Sequence, residues 1–589
     1  MSIDEFRTDR VATLARTSIS RVLWILFALA LGLVFIVPVS MIVIGAFRDG
    51  LPSQNNPFTL DGIKEALTSD DIWSTLRDSL ILVVVCGSIA TIVGGFFAWV
   101  SANTNVPLRR LLTPLMIINL FVPPLFHTFA WIMLGNAQNG LINQFTRSLG
   151  LGGPLDIQSW FGLIFTMSLG FVPFAFLLMR GAFLNRDQSL DEAASISGAS
   201  TVRTFFTVTV PSIAPAITGA AILIMVLIFQ AFEGPQLLGR PAGIYVFSTQ
   251  IYHYIRDVTP SKYTAAFTLS LVVVLLVVIL FLVQHRLLKG RTFTTLTGKT
   301  SRREPLQLGP VRWVFSGLIA VFTVVNLALP LFAVVLGSLQ PIFGVSGRLS
   351  FDNYSRILHD PSLSSSLSLT AWVAIVGGLC SMTVAVLTTY VVMRRRGFVR
   401  AFTSLSLWVP WALPGIVLAL AYLFTILTVP GLKGLYGTST FMMIVLIIAT
   451  IPLCTRLAEG ALAQLAPELE EAGRISGSSS MRVLVTIVLR LVIPSFLAGW
   501  FLAALFISGN LAIPTLLAPP KVQPVSQVAF QLFLSGDIST AAALFMIILA
   551  AAVVVIGLAG ISIAVGRRLQ NRPPTQSELE LVQGVSLSG

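Results

Sequence analysis

Residues 191–211 read DEAASISGASTVRTFFTVTVP, and residues 470–490 read EEAGRISGSSSMRVLVTIVLR. Glu192 aligns with Glu471, Gly198 with Gly477 and Arg203 with Arg482, each pair 279 residues apart (471 − 192 = 279). The same offset carries Pro173 onto Pro452, Gly181 onto Gly460 and Pro215 onto Pro494. An ungapped match across residues 173–215 marks two copies of one unit in a single chain.

Each copy is a polar island between long apolar runs. The 589 residues are 55% hydrophobic and 11% charged, against roughly 25% charged in a soluble domain. A spanning helix needs about 20 apolar residues, and on that criterion about twelve spans are expected. In the first half they lie at 22–47, 79–102, 110–134, 160–179, 211–232 and 264–284. The second half repeats them at 313–337, 370–393, 402–428, 439–456, 492–513 and 540–565. The expected fold is therefore an all-α polytopic membrane protein. With six spans per half, both halves enter the bilayer the same way, as a parallel repeat about an axis along the membrane normal.

Charge supports this layout. With the N-terminus inside, cytoplasmic segments hold 27 of the 38 Lys+Arg and outer loops hold 11, as the positive-inside rule requires. Both repeated loops, Arg394-Arg395-Arg396 and both termini then face the cytoplasm. The net charge of +13 is an orientation signal suited to anionic lipid headgroups, and nucleic acid is not an expected partner. Residues 1–21 form a tail with Arg7, Arg10, Arg16 and Arg21. The uncharged run Val22–Phe47 exceeds the roughly 7–15 apolar residues of a cleaved secretory signal, so it reads as a retained anchor. The first membrane domain is 22–284, a basic, Thr-rich linker is 285–312, the second domain is 313–566 and the C-terminal tail is 567–589.

No residues suggest chemistry within this chain. Thr297-Gly298-Lys299-Thr300 ends like a phosphate-binding loop, but Phe293 stands where the first glycine belongs. No catalytic group, cofactor site or metal site is expected, and ATP would bind a partner subunit. Cys86, Cys380 and Cys454 lie inside apolar runs, where they read as packing residues. His127, His253, His285 and His359 form no ligand spacing, and the outer loops lack a dense carboxylate–histidine cluster.

The repeated loops read as docking points. Ala193, Ala194 and Ala472 let a short helix approach a partner, and Gly198 and Gly477 let the backbone turn after it. Glu192 and Glu471 suit a helix N-terminus, and Arg203 and Arg482 suit acidic groups on a partner. The plainer alternative is an amphipathic surface connector. Glu233, in Phe229-Gln-Ala-Phe-Glu-Gly-Pro235, is the one acid at the edge of an expected span. It is either a pathway residue or already in water where Gly234-Pro235 ends the helix. Its counterpart is Ala512, so no symmetric acid pair exists.

The spacing Glu192-Ala193-Ala194, Gly198, Val208-x-Val210-Pro211 resembles the EAA loop of ABC-importer permeases. The second copy departs at Gly473 and Arg490 but keeps Glu471, Gly477 and Ile487-x-Leu489. Residues 233–254, EGPQLLGRPAGIYVFSTQIYHY, look like the matching stretch of fused ferric-iron-type permeases. The resemblance implies a type I importer permease of two six-helix domains in a bacterial plasma (inner) membrane. It implies coupling loops at 185–210 and 457–490, seated on two copies of a cytoplasmic ABC ATPase, with the departures at Gly473 and Arg490 leaving equal coupling by the two sides open. It also implies a periplasmic or lipid-anchored substrate-binding protein, with ferric iron as cargo. Relatives of this build move thiamine, polyamines, sulfate or aminoethylphosphonate. A twelve-helix ion-coupled secondary transporter is the rival class; it calls for ionisable groups in mid-span and gives no reason for two matched loops.

Overall fold

A computed structural model describes residues 3–48, 50, 57–151, 154–187, 189–288, 305–345, 347–463, 465, 467–476, 478 and 480–570. Gly477, the phosphate-loop look-alike at 297–300 and the tail from 571 onward lie outside the described residues, as do the side chains of 3–21.

The first half consists of α1 (Ile3–Ala46), α2 (Asp61–Thr68), α3 (Asp70–Asn103), α4 (Arg109–Leu120), α5 (Pro124–Gly135) and α6 (Leu141–Ser148). It continues with α7 (Trp160–Asn185), α8 (Ser189–Ile196), α9 (Thr201–Ser212), α10 (Ala214–Gln230), α11 (Phe247–Arg256) and α12 (Tyr263–Leu288). The second half runs α13 (Val311–Leu339), α14 (Asp352–His359), α15 (Pro361–Arg394), α16 (Phe398–Ala412) and α17 (Gly415–Thr428). It ends with α18 (Ser439–Leu462), α19 (Pro467–Ile475), α20 (Leu489–Gly509), α21 (Val525–Leu534) and α22 (Ile538–Gln570).

Among the described residues, nine helices are long and apolar enough to cross a bilayer, or eleven if the pairs α4–α5 and α9–α10 each count as one bent span. Two expected spans are therefore corrected. The run 110–134 bends by 98° between α4 and α5, and 402–428 divides into α16 and α17. Both breaks fall at a proline, Pro123 before α5 and Pro414 before α17, each extended at ψ 142 and 146. A proline fixes φ and lacks a donor, so a helix restarts after it more readily than it runs through it. The expected span 211–232 starts later than its apolar run, at Ala214, after a 70° bend from α9. Pro211 and Pro215 flank that bend. At the second-half position of Pro211 stands Arg490, and α20 runs through it with only Pro494 inside.

The repeat extends beyond the loops. Helix α7 starts at Trp160 and α18 at Ser439, 279 apart. Each is capped alike: Gly162 N donates to Ser159 Oγ and Phe441 N to Thr438 Oγ1, both at 3.2 Å. Upstream the offset is 291 (352 − 61 = 291), relating α2 to α14, and α3 to α15 at 34 residues each. The difference of 12 (291 − 279 = 12) is taken up between α5 and α7, where the first half carries α6 and the second a shorter connection.

Each half lends its first helix to the other. Helix α1 packs on α16 and α17, and α13 packs on α4 and α5. Tyr422 of α17 donates its hydroxyl to Val34 O of α1 at 2.6 Å, and His127 of α5 meets Asn326 of α13 at 3.0 Å. Polar side chains placed between spans in this way are paired across helices, since no water is available to them there.

Within each half, small residues set the closest crossings. A Cβ on Gly94 of α3 would meet Ala175 Cβ of α7, and Phe176 N and Val172 O at 2.9 Å. Because two of those neighbours are backbone, they cannot rotate away. Gly94→Val is expected to lower stability by about 1–3 kcal/mol through overpacking, read as a lower thermal midpoint in detergent. Gly181 has nothing within 4 Å, so Gly181→Ala serves as the neutral control; equal midpoints for the two variants would show that α3 and α7 have room to separate.

Candidate functional site

The two repeated loops emerge at the same end of the molecule, after α7 and α18. Helix α8 carries Glu192, Ala193 and Ala194, with Asp191 and Glu192 in its first turn. Glu192 and Ala193 are exposed and Ala194 is half-buried. The helix stops in a Schellman turn: Ala199 N donates to Ala194 O at 3.0 Å, and Gly198 N to Ser195 O at 2.9 Å. Gly198 supplies the required left-handed backbone, at φ +78. Ser200 Oγ then accepts from Arg203 N at 3.4 Å to start α9, leaving the Arg203 side chain exposed.

The second loop repeats these bonds. Ser478 N donates to Gly473 O at 3.1 Å, the counterpart of Ala199 to Ala194, and Ser476 N to Ala472 O at 3.0 Å matches Ser197 to Ala193. Glu471, Ala472 and Arg482 are exposed. Helix α19 begins at Pro467, so Glu471 lies one residue deeper in its helix than Glu192 does in α8. Both loops then pass through a π-helical turn, at Phe205–Thr209 and Leu484–Val488, again 279 apart. Such widened turns are uncommon and recur at functional positions.

Sequence reasoning missed an exposed apolar side chain on each loop. Ile196 is 88% exposed and Ile475, its equivalent at the same offset, is 86% exposed. A single exposed isoleucine is ordinary, but the same isoleucine bared on two matched polar loops is a duplicated surface. The signal available in sequence was one apolar residue kept between polar neighbours in both copies.

The loops also differ. Arg186, its side chain 5% exposed, forms an ion pair with Asp191; Nη1 donates to Oδ1 at 2.7 Å, and Thr209 Oγ1 donates to the same oxygen at 3.3 Å. This ties the start of α8 back to α7 and to the π turn. The equivalent of Arg186 is Leu465, so the second loop lacks that tie. Just before α8, Ser189 N donates to Asp187 Oδ1 at 2.9 Å, and that bond holds the Asp187 carboxyl below its usual range. In the second loop, a Cβ on Gly473 would lie 2.9 Å from Ile487 Cδ1 and 3.1 Å from Val483 Cγ2. Glycine here, where the first copy has Ala194, lets α19 sit closer to the turn that follows it.

Glu233 is not brought near these loops. The 17-residue α10 separates it from the α9 bend by about 25 Å at 1.5 Å per residue. Glu233 is half-buried, and Leu511 N of the other half donates to its Oε1 at 3.3 Å. Leu511 is fully buried, two residues past the end of α20. A second bond between the halves lies nearby, from Arg256 Nη2 to Thr515 O at 2.9 Å. The ends of α10 and α20 are thus joined at the boundary between the halves.

The chain is similar to several known proteins. It is 24% identical over 472 residues to a candidate ferric transport system permease protein of Haemophilus influenzae, covering 78% of this chain and 72% of that one. It is likewise 24% identical over 468 residues to the ferric transport system permease protein of Actinobacillus pleuropneumoniae, covering 78% of this chain and 66% of that one. A solved bacterial ABC transporter involved in alginate import aligns at 16% identity and a TM-score of 0.37, over 49% of this chain and 100% of that chain. The pattern defining the binding-protein-dependent transport system inner membrane components matches twice, at residues 90–292 and 377–570, and the chain belongs to that family of ABC importer permeases.

Proposed function

We propose that this chain forms the pathway of a ferric-iron importer of the inner membrane, with both termini cytoplasmic. Two copies of a cytoplasmic ABC ATPase seat on α8 and α19, and an external binding protein delivers the cargo. The observation that carries the docking reading is the duplicated surface itself: two helices ended by the same backbone bonds, each baring one isoleucine 279 residues from its twin. In this reading Ile196 and Ile475 enter an apolar cleft on each ATPase. Ala193, Ala194 and Ala472 permit close approach, and Glu192, Glu471, Arg203 and Arg482 bond to polar groups at the rim. ATP is held by those partner subunits, and this chain holds no cofactor. The iron reading is supported by the two ferric relatives. Fe3+ uptake into proteoliposomes holding the full complex is its test, and uptake of thiamine, a polyamine, sulfate or aminoethylphosphonate instead would replace iron as cargo.

Burying one isoleucine contributes roughly 1.5–3 kcal/mol, about tenfold to a hundredfold in affinity. Combining Ile196→Asp with Ile475→Asp is expected to reduce ATPase copurification by at least that much while the permease still inserts. Undiminished recovery of the ATPase would remove both residues from the interface. Gly198→Val forces a β-branched residue into φ +78 and is expected to abolish transport without loss of inserted protein.

The bond from Leu511 N to Glu233 Oε1 holds the halves together at the end opposite the loops, and we read it as a closure of the outer side. Leaving the buried Leu511 N–H without an acceptor costs about 1–3 kcal/mol. Glu233→Ala is therefore expected to raise the complex's ATPase rate in the absence of binding protein about tenfold. Glu233→Gln keeps an Oε1 acceptor and stays near the wild-type rate. Equal rates for both variants would sink the closure reading.

A further inference from the structure

At the end of the molecule that carries the repeated loops, the first half forms an open recess of about 370 Å³ that the transport reading does not use. It lies between the end of α3, the start of α4, the last turns of α7 and the first described residue of the linker. Its lining includes Ser101, Arg109, Arg110, Thr113, Arg180 and Pro305. Arg180 Nε donates to Ser101 Oγ at 3.2 Å, and Arg109 donates to Thr104 O. Among the described residues, none of these three arginines has a carboxylate within ion-pair distance. Six residues beyond Arg180, Arg186 does have such a partner, Asp191.

Three guanidinium groups around one cavity repel each other, and their convergence there has no structural benefit of its own. Positive-inside bias explains bases near the ends of spans, but not their gathering about a hollow. The second half shows that the fold does not require them. Arg109 has its counterpart in Arg400, but Arg110 is replaced by Ala401 and Arg180 by Glu459. Glu459 is paired internally, with Arg456 at 2.9 Å. The cationic cavity therefore belongs to one copy only.

The linker is anchored beside the cavity. Leu306 N donates to Asn103 O at 2.8 Å, and Asn105 N donates to Leu306 O at 3.2 Å. Asn105 Nδ2 donates to Gln307 Oε1 at 2.6 Å and Leu308 N to Asn105 Oδ1 at 3.2 Å. This parallel bridge holds Pro305 at the wall. Along the outer face of α4, Leu111 and Ile118, seven residues apart, are 51% and 47% exposed and run from the cavity toward the membrane interior.

We propose that this cavity binds one phosphate-bearing anion, the headgroup of an anionic phospholipid, whose acyl chains lie on Leu111 and Ile118 of α4. Arginine forks match phosphate oxygens in pairs, and basic recesses between spans on the cytoplasmic side are where such headgroups are held. The hydroxyls of Ser101 and Thr113 complete the donor set. The bound headgroup offsets part of the repulsion among the three cations and braces the linker against the first half.

The test uses the full chain purified in a neutral detergent and examined by native mass spectrometry. Phosphatidylglycerol, phosphatidylcholine and inorganic phosphate are added in separate arms. The expected result is one phosphatidylglycerol per chain, bound at least tenfold more tightly than phosphatidylcholine. That preference falls at least tenfold in R110A/R180A and is kept in R396A/R400A, which removes two exposed arginines at the same end of the second half. Arg110→Ala alone, a change at an exposed side chain, provides a second variant should the double one fold poorly. Saturable binding of inorganic phosphate, lost in R110A/R180A, with no lipid preference, supports the site and assigns it to a soluble anion. No preference between the two lipids, no phosphate binding and no effect of either variant would overturn it.

Discussion

Backbone amides that cannot reach water govern this structure. In the hydrocarbon core each N–H and C=O must be paired within the protein, and a helix achieves that without help from its neighbours. The backbone departs from helix at Pro123 and Pro414, each in the third span of its half. Those are also the segments that receive the first helix of the opposite half, α13 on α4–α5 and α1 on α16–α17. A broken helix facing lipid would leave bare carbonyls. Covered by a partner helix from the other half, the break becomes tolerable. The crossing of first helices and the broken third spans are thus two aspects of one arrangement.

The repeat was legible at the loops because polar residues in a membrane chain are few and their spacing is conspicuous. Across 173–215 and 452–494 the register read from sequence is the one the helices keep, and it extends back to paired caps at Ser159 and Thr438. Upstream the correspondence was not legible, since apolar spans of similar composition align at almost any offset. Only helix boundaries reveal the 291-residue relation of α2–α3 to α14–α15. The broken spans carried a signal in Pro123-Pro124 and Pro414-Gly415, but hydropathy counts residues and ignores where a donor is missing. The bond from Leu511 to Glu233 was out of reach, because it joins residues of different halves through a backbone N–H that no side-chain pattern announces.

Differences between the copies are concentrated where symmetry is not needed for packing. Gly94 in α3 and Gly378 in α15 both sit against backbone, of α7 and of α20 respectively, so both halves rely on close helix approach. The loops diverge instead. Arg186 and Asp191 lock the first to its helix, whereas in the second Leu465 stands at the position of Arg186 and its carbonyl accepts from Arg394 Nη2 at 3.1 Å. Gly473 brings the second loop against Ile487 and Val483. The two loops keep their exposed isoleucine while the contacts that support them differ.

That difference in support matters because each loop continues into the helix that reaches the opposite end. Helix α10 starts after the bend at Ile213 and ends just before Glu233. Helix α20 starts from its π turn without a break and ends beside Leu511. A helix transmits displacement along its axis because its hydrogen bonds resist stretching, so a push on either loop arrives at the boundary between halves. In the second half the path is one continuous helix. In the first it passes a 70° bend between Pro211 and Pro215, where motion of α8 is taken up partly as a change of angle. The routes from the two loops to the Glu233–Leu511 contact therefore differ in geometry, one continuous and one bent, and on the docking reading equal displacements of the loops reach that contact unequally.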